Sequence, residues 1–82
     1  MENNIENPSA DWHQYCAEVQ RGKVAVLGAL RAASPQPEND VQTHAMAETQ
    51  LCRPRIANAI ASLLDERKII EKDDTLAVVA EQ

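Results

Sequence analysis

The chain has 82 residues, 44% hydrophobic and 26% charged, with a formal charge of −5 and a pI of about 4.8. That length supports one domain with a modest core, and no apolar run approaches a membrane span. Aromatics are confined to Trp12 and Tyr15, which excludes a stacking platform for single-stranded bases.

Residues 1–10 are rich in Asn and Glu and lack periodicity. They read as a disordered arm ahead of a single domain over 11–82. The acidic, polar start is unlike a signal peptide, so the expected compartment is the cytoplasm. Ser9 or Asp11 suits the cap of a leading helix. From there Trp12, Tyr15, Cys16, Val19, Val26, Leu27 and Leu30 keep helical phase. Gly22 interrupts this stripe at a cost of roughly 1 kcal/mol. Either one helix spans 12–33, or a short helix ends at Gly22 and a second begins at Lys23. The unbroken phase favours one helix, bent at Gly22.

Residues 34–39, Ser-Pro-Gln-Pro-Glu-Asn, read as a loop. Asn39 or Asp40 caps a second helix over 41–49, and Gln50-Leu51-Cys52 forms a turn. A third helix follows over 53–66. Pro54 suits its first position, and Ile56, Ile60, Leu63 and Leu64 share one face. Then the period changes. Ile69-Ile70 and Leu76-Ala77-Val78-Val79 flank Asp73-Asp74, the pattern of a β-hairpin.

The opening Leu51-Cys52-Arg53-Pro54-Arg55-Ile56 and the exit Leu63-Leu64-Asp65-Glu66-Arg67-Lys68-Ile69-Ile70 resemble the recognition helix and wing of winged helix-turn-helix domains. The resemblance covers residues 23–80. It implies a mostly α fold with a small β-hairpin: three core helices, an N-terminal helical extension and a two-stranded wing. Gln50 and Lys68 stand where such domains often carry glycine, so either is a candidate for positive φ. In the second helix Met46-Ala47 matches the usual large-then-Ala pair by type. Ala45-Met46 matches it by count, with the smaller residue in the larger seat.

The resemblance makes Arg53, Arg55 and Asn58 the candidate readers of duplex DNA. Arg forks onto guanine and Asn onto adenine in the major groove. Gln42 and Thr43 open the second helix and suit phosphate contact. Lys68 and Lys72 flank the wing and do the same, or merely guard a strand edge. Trp12, Tyr15, Cys16 and Val19 are expected to form a homodimer, so that two recognition helices meet two half-sites. The alternative is that Trp12 folds back over its own core. Cys52, near a helix start and two arginines, suits either a redox-sensitive thiol or a plain substitute for a Ser cap.

The cysteines and His13 and His44 match no zinc spacing, so no metal or cofactor is expected. With only Gly22 and Gly28, and no nucleophile–base set, no enzyme is expected. Two functions remain. One is a small transcriptional regulator that binds duplex DNA through 53–66, with its acidic groups, Asp11, Glu18 and the N-terminal arm, on the far side. The other is an acidic protein-binding module, an adaptor or inhibitor of a nucleic-acid-binding protein. That module would work through Glu38, Asp40, Glu71, Asp73 and Asp74.

Overall fold

The computed structural model describes the backbone of residues 6–79 and the side chains of residues 12–79. Three helices and a small antiparallel sheet follow one another as α1 (Glu6–Ala32), β1 (Gln36–Pro37), α2 (Glu38–Thr49), α3 (Arg53–Asp65), β2 (Ile69–Lys72) and β3 (Thr75–Val78). The fold is mostly helical. None of the described helices is long and apolar enough to cross a membrane.

α1 is one uninterrupted helix of 27 residues, so the leading extension is continuous with the core helix. It begins earlier than the stripe indicates. Residues 6–10 are helical where an arm was expected, and Ser9 and Asp11 lie inside the helix rather than capping it. Pro8 falls in the first turn, where a missing N–H breaks no intrahelical bond. The part of the expected arm at residues 1–5 lies outside the described residues.

Gly22 does not end the helix. It is the point where α1 crosses α3, and a Cβ placed there would sit 3.0 Å from Ala59 Cβ and 3.4 Å from Ile56 Cδ1. The helix accepts the entropic cost of glycine for close backbone approach. Ion pairs fix the crossing on both sides. Glu18 Oε1 lies 2.9 Å from Arg55 Nε, and Glu66 Oε2 lies 2.6 Å from Lys23 Nζ.

The core fills the space between the helices and the sheet. α1 contributes Ala25, Val26 and Leu30, α2 contributes Val41 and Ala45, and α3 contributes Ile56, Ile60 and Leu63; Ile69 and Leu76 close it. Ala45 is fully buried and Met46 only partly so. The smaller residue therefore holds the core seat of α2.

The sheet has three strands rather than two, in the order β1-β3-β2. β1 is a correction to the loop expected at 34–39. Gln36 pairs with Leu76, and Pro37 with Thr75. Proline is tolerated because β1 lies at the sheet edge. Gln36 also turns its amide back to α1, donating to the carbonyls of Ala29 (2.8 Å) and Ala33 (2.6 Å). The Ala33 carbonyl lies just past the helix end, and Ala29 O also accepts from the Ala33 N–H at 3.1 Å.

α2 starts directly after β1, at Glu38, without a side-chain cap. Neither Asn39 nor Asp40 caps it. The Glu38 N–H instead donates to the Asp74 carbonyl at the hairpin tip, 2.9 Å away. Gln50 ends α2 in the left-handed region at φ 66, as one reading of the turn allowed. At the other glycine-like position the left-handed residue is Arg67 (φ 63), not Lys68. The Lys68 N–H donates to Leu63 O and the Arg67 N–H to Leu64 O, a Schellman-type stop one residue earlier than expected. Asp73 and Asp74 both have positive φ, 52 and 64. That is the two-residue type I′ geometry, which Asp tolerates better than most side chains.

Candidate nucleic-acid interface

α3 turns about 100° per residue. Ile56, Ala59, Ile60 and Leu63 are buried and define its inner face. Pro54, Asn58, Ala61 and Asp65 are exposed and form an outer ridge. Arg53 and Arg55 therefore flank that ridge on opposite edges. Cys52 precedes the helix as its cap residue, yet its side chain makes no capping bond. Its carbonyl accepts from the Arg55 and Ile56 N–H groups at 3.0 and 3.1 Å.

The two arginines are held differently. Arg53 leans toward α2 and is exposed. Its Nη1 donates to Asn39 Oδ1 at 3.2 Å and to Gln42 Oε1. Both acceptors are neutral, so the guanidinium keeps its full charge. Arg55 leans toward α1 and is half-buried. Its guanidinium carbon sits 4.6 Å from the centre of the Tyr15 ring, and Glu18 neutralises it. The Arg55 Nε–H does not point at the Glu18 oxygen, so that atom is buried without a directed hydrogen bond despite the 2.9 Å separation. The contact is coulombic, and it places Glu18 beside α3 rather than on the far side, because α1 crosses α3 at Gly22.

Thr43 is exposed, and Asn58, Lys68 and Lys72 are exposed as well; Gln42 is half-covered by its bond to Arg53 and a 3.3 Å donation to Glu38. The cations Arg53, Arg55, Lys68 and Lys72 thus form no continuous positive strip, because Glu18 offsets Arg55. Where α2 begins against the hairpin, carboxylates gather instead. Burial pushes the Glu38 carboxyl above its ordinary 4.5; the charge of Glu71, a carboxyl–carboxyl hydrogen bond to Glu71 and the charge of Asp74 act in the same direction, and Gln42 opposes them. No spacing rule places Glu38 beside Glu71, because the sheet register joins them. At the far end of α3 the opposite holds. Lys23 donates to Glu66 and pulls its carboxyl below the ordinary range, against some desolvation, helped by Ser62 and Lys68.

The signs of these two shifts differ in consequence. A carboxyl raised in the folded state adds stability that is fully present below its unfolded pKa and is lost as pH rises through the folded value. Glu38 therefore favours the fold in mild acid. Glu66 adds stability above its unfolded pKa and loses it as pH falls through its lowered folded value. Glu38→Gln is expected to raise stability at pH 7 by about 0.5 kcal/mol, the scale of a screened surface charge contact, and to give no gain at pH 4. Thermal melts at the two pH values check this; an equal effect at both would refute the crowding of Glu38, Glu71 and Asp74.

On α1, Trp12 is 61% exposed and stacks on Tyr15, ring centres 5.5 Å apart. It does not fold back over the core. Cys16 is an exposed free thiol, as is Cys52, and Val19 is half-covered. Tyr15 thus contacts both Trp12 and the Arg55 guanidinium. Among the described residues no group of three or more His, Cys, Asp or Glu is arranged to hold a metal ion. Compared with known proteins, the chain matches no protein-family model and no curated protein.

Proposed function

We propose that the chain is a small winged helix-turn-helix transcriptional regulator that docks α3 in the major groove of duplex DNA. The supporting observation is Arg53: an exposed guanidinium at the start of α3, steadied by two neutral amides and paired with no carboxylate among the described residues. Its remaining donors suit a guanine edge or a phosphate. Asn58, one turn on, stands on the open ridge beside Ala61, where no bulky side chain obstructs a groove. Gln42 and Thr43, with Lys68 and Lys72 across the hairpin, suit phosphates on either side. Homodimerisation through the exposed Trp12 and Cys16, with Tyr15 and Val19, belongs to this reading.

One observation favours a second reading. The crowding of Glu38, Glu71 and Asp74, with Asp40 and Asp73 close in sequence, puts negative charge where a winged helix would meet phosphates. A protein-binding module with a basic partner uses such a surface directly.

Titration with random-sequence duplex at about 50 mM salt separates the two. The regulator reading expects weak association that disappears by about 200 mM salt, because released counterions supply non-specific binding. Absence of binding at the lower salt would leave the acidic module.

A further inference from the structure

We infer that Glu18 is an internal brake on DNA binding: it holds Arg55 against α1 and withholds one phosphate contact from α3. The inference rests on the regulator reading above and concerns the regulation of that same surface.

Arg53 and Arg55 stand at matched positions on the two edges of the outer ridge, two residues apart. A helix built only to meet a duplex would present both. Here one edge is exposed with neutral partners, and the other is clasped. Glu18 supplies the charge and Tyr15 supplies a ring face, so Arg55 has an anion and a cation–π partner inside its own molecule. Its side chain is 30% exposed and that of Glu18 21%. The pair is therefore covered enough to resist screening, yet open enough to exchange partners.

The clasp is also imperfect. Arg55 Nε is buried with no directed hydrogen bond. A guanidinium evolved solely as a staple would satisfy its five donors more fully. An incoming phosphate offers better acceptors, and rotation about the long side chain suffices to turn the group from the α1 edge to the ridge. Glu18 competes with that phosphate for one cation, and it repels the duplex besides. Trp12 also stacks on Tyr15, ring centres 5.5 Å apart. Anything that moves the Trp12 end of α1 is thereby connected to the Arg55 edge of α3 through one aromatic ring.

The test compares the full chain with Glu18→Gln, Glu18→Gln/Arg55→Gln, Arg55→Gln alone and Glu48→Gln. Glu48 is an exposed acid on α2, so its variant controls for net charge. Each is titrated with random-sequence duplex from about 50 to 200 mM salt. Glu18→Gln is expected to steepen the slope of log K against log salt by about 0.9, one added phosphate, which makes its affinity fall about threefold further over that range. The double variant and Glu48→Gln are expected to keep the parent slope. Arg55→Gln alone is expected to leave the parent slope unchanged, because the group is already withheld; this arm holds even should Glu18→Gln fold poorly.

A shallower slope for Arg55→Gln shows Arg55 already on the phosphate and overturns the brake. So does a Glu18→Gln slope equal to that of Glu48→Gln. In both cases the parent still binds duplex, and the regulator reading survives. Binding by Glu18→Gln alone supports both. Absence of binding by every variant removes both together.

Discussion

Gly22→Leu is expected to destabilise the protein by about 3 kcal/mol, at the upper end of the range for overpacked interiors. Leucine is a better helix former than glycine by nearly 1 kcal/mol, so α1 in isolation gains from the change. The loss must come from the crossing. The added Cβ alone already meets Ala59 Cβ at 3.0 Å, Ile56 Cδ1 at 3.4 Å and Leu51 Cδ1 at 3.8 Å, and the rest of the leucine must fit beyond it. Ala59 has no flexible end to swing aside. Either α1 lifts from α3, which also strains the Glu18–Arg55 and Lys23–Glu66 pairs, or the core under Ile56 opens. A domain of this size commonly has a total stability of about 4–12 kcal/mol, so thermal melts should show a fall of about 12–24 °C. Gly28 is the internal control. A Cβ there meets nothing within 4 Å. Gly28→Ala is expected to gain up to about 1 kcal/mol through helix propensity and a less flexible unfolded chain. Equal melting temperatures for Gly22→Leu and the parent would mean that the two helices do not approach as closely as described.

Arg53→Ala is expected to lower affinity for a selected DNA site by about 1–3 kcal/mol, roughly fivefold to 150-fold, under the regulator reading. Its melting temperature should hardly move, since the residue is exposed and its partners Asn39 and Gln42 return to water. The pattern of loss identifies the contact. If Arg53 forks onto a base, the selected site suffers and random duplex does not, and Arg53→Lys fails almost as badly because it lacks the planar fork. If Arg53 meets a phosphate, both duplexes weaken together, the salt slope falls by about 0.9, and lysine substitutes well. A selected site bound equally well by parent and Arg53→Ala would remove the residue from the interface.

The helical period of α3 and the change of period after Arg67 were readable directly, because each side chain's burial there follows from spacing along one element. The hairpin turn was readable too, since Asp73-Asp74 is flanked by apolar pairs of the right length. Other features depend on partners distant in the chain. β1 has two residues and contains a proline, so no alternation marks it; it exists because β3 offers an edge. α2 begins at Glu38 without a capping side chain because the Asp74 carbonyl takes the role. Gly22 looked like a weak point in a helix until α3 lay against it. The same limit applies to the candidate interface. Arg53, Asn58 and Thr43 are exposed, as their helical phase suggests. Arg55 shares that local pattern, yet its surroundings are set by where α1 crosses. The crowding at Glu38 arises likewise from the sheet register, and neither grouping has a local motif.

The strand pairing has a consequence for truncation. Gln36 pairs with Leu76, a partner nearly half the chain away. Without the hairpin, β1 has no partner strand and the Glu38 N–H at the start of α2 loses the Asp74 carbonyl. The sheet therefore ties early residues to late ones, and truncation before the hairpin is expected to loosen the start of α2.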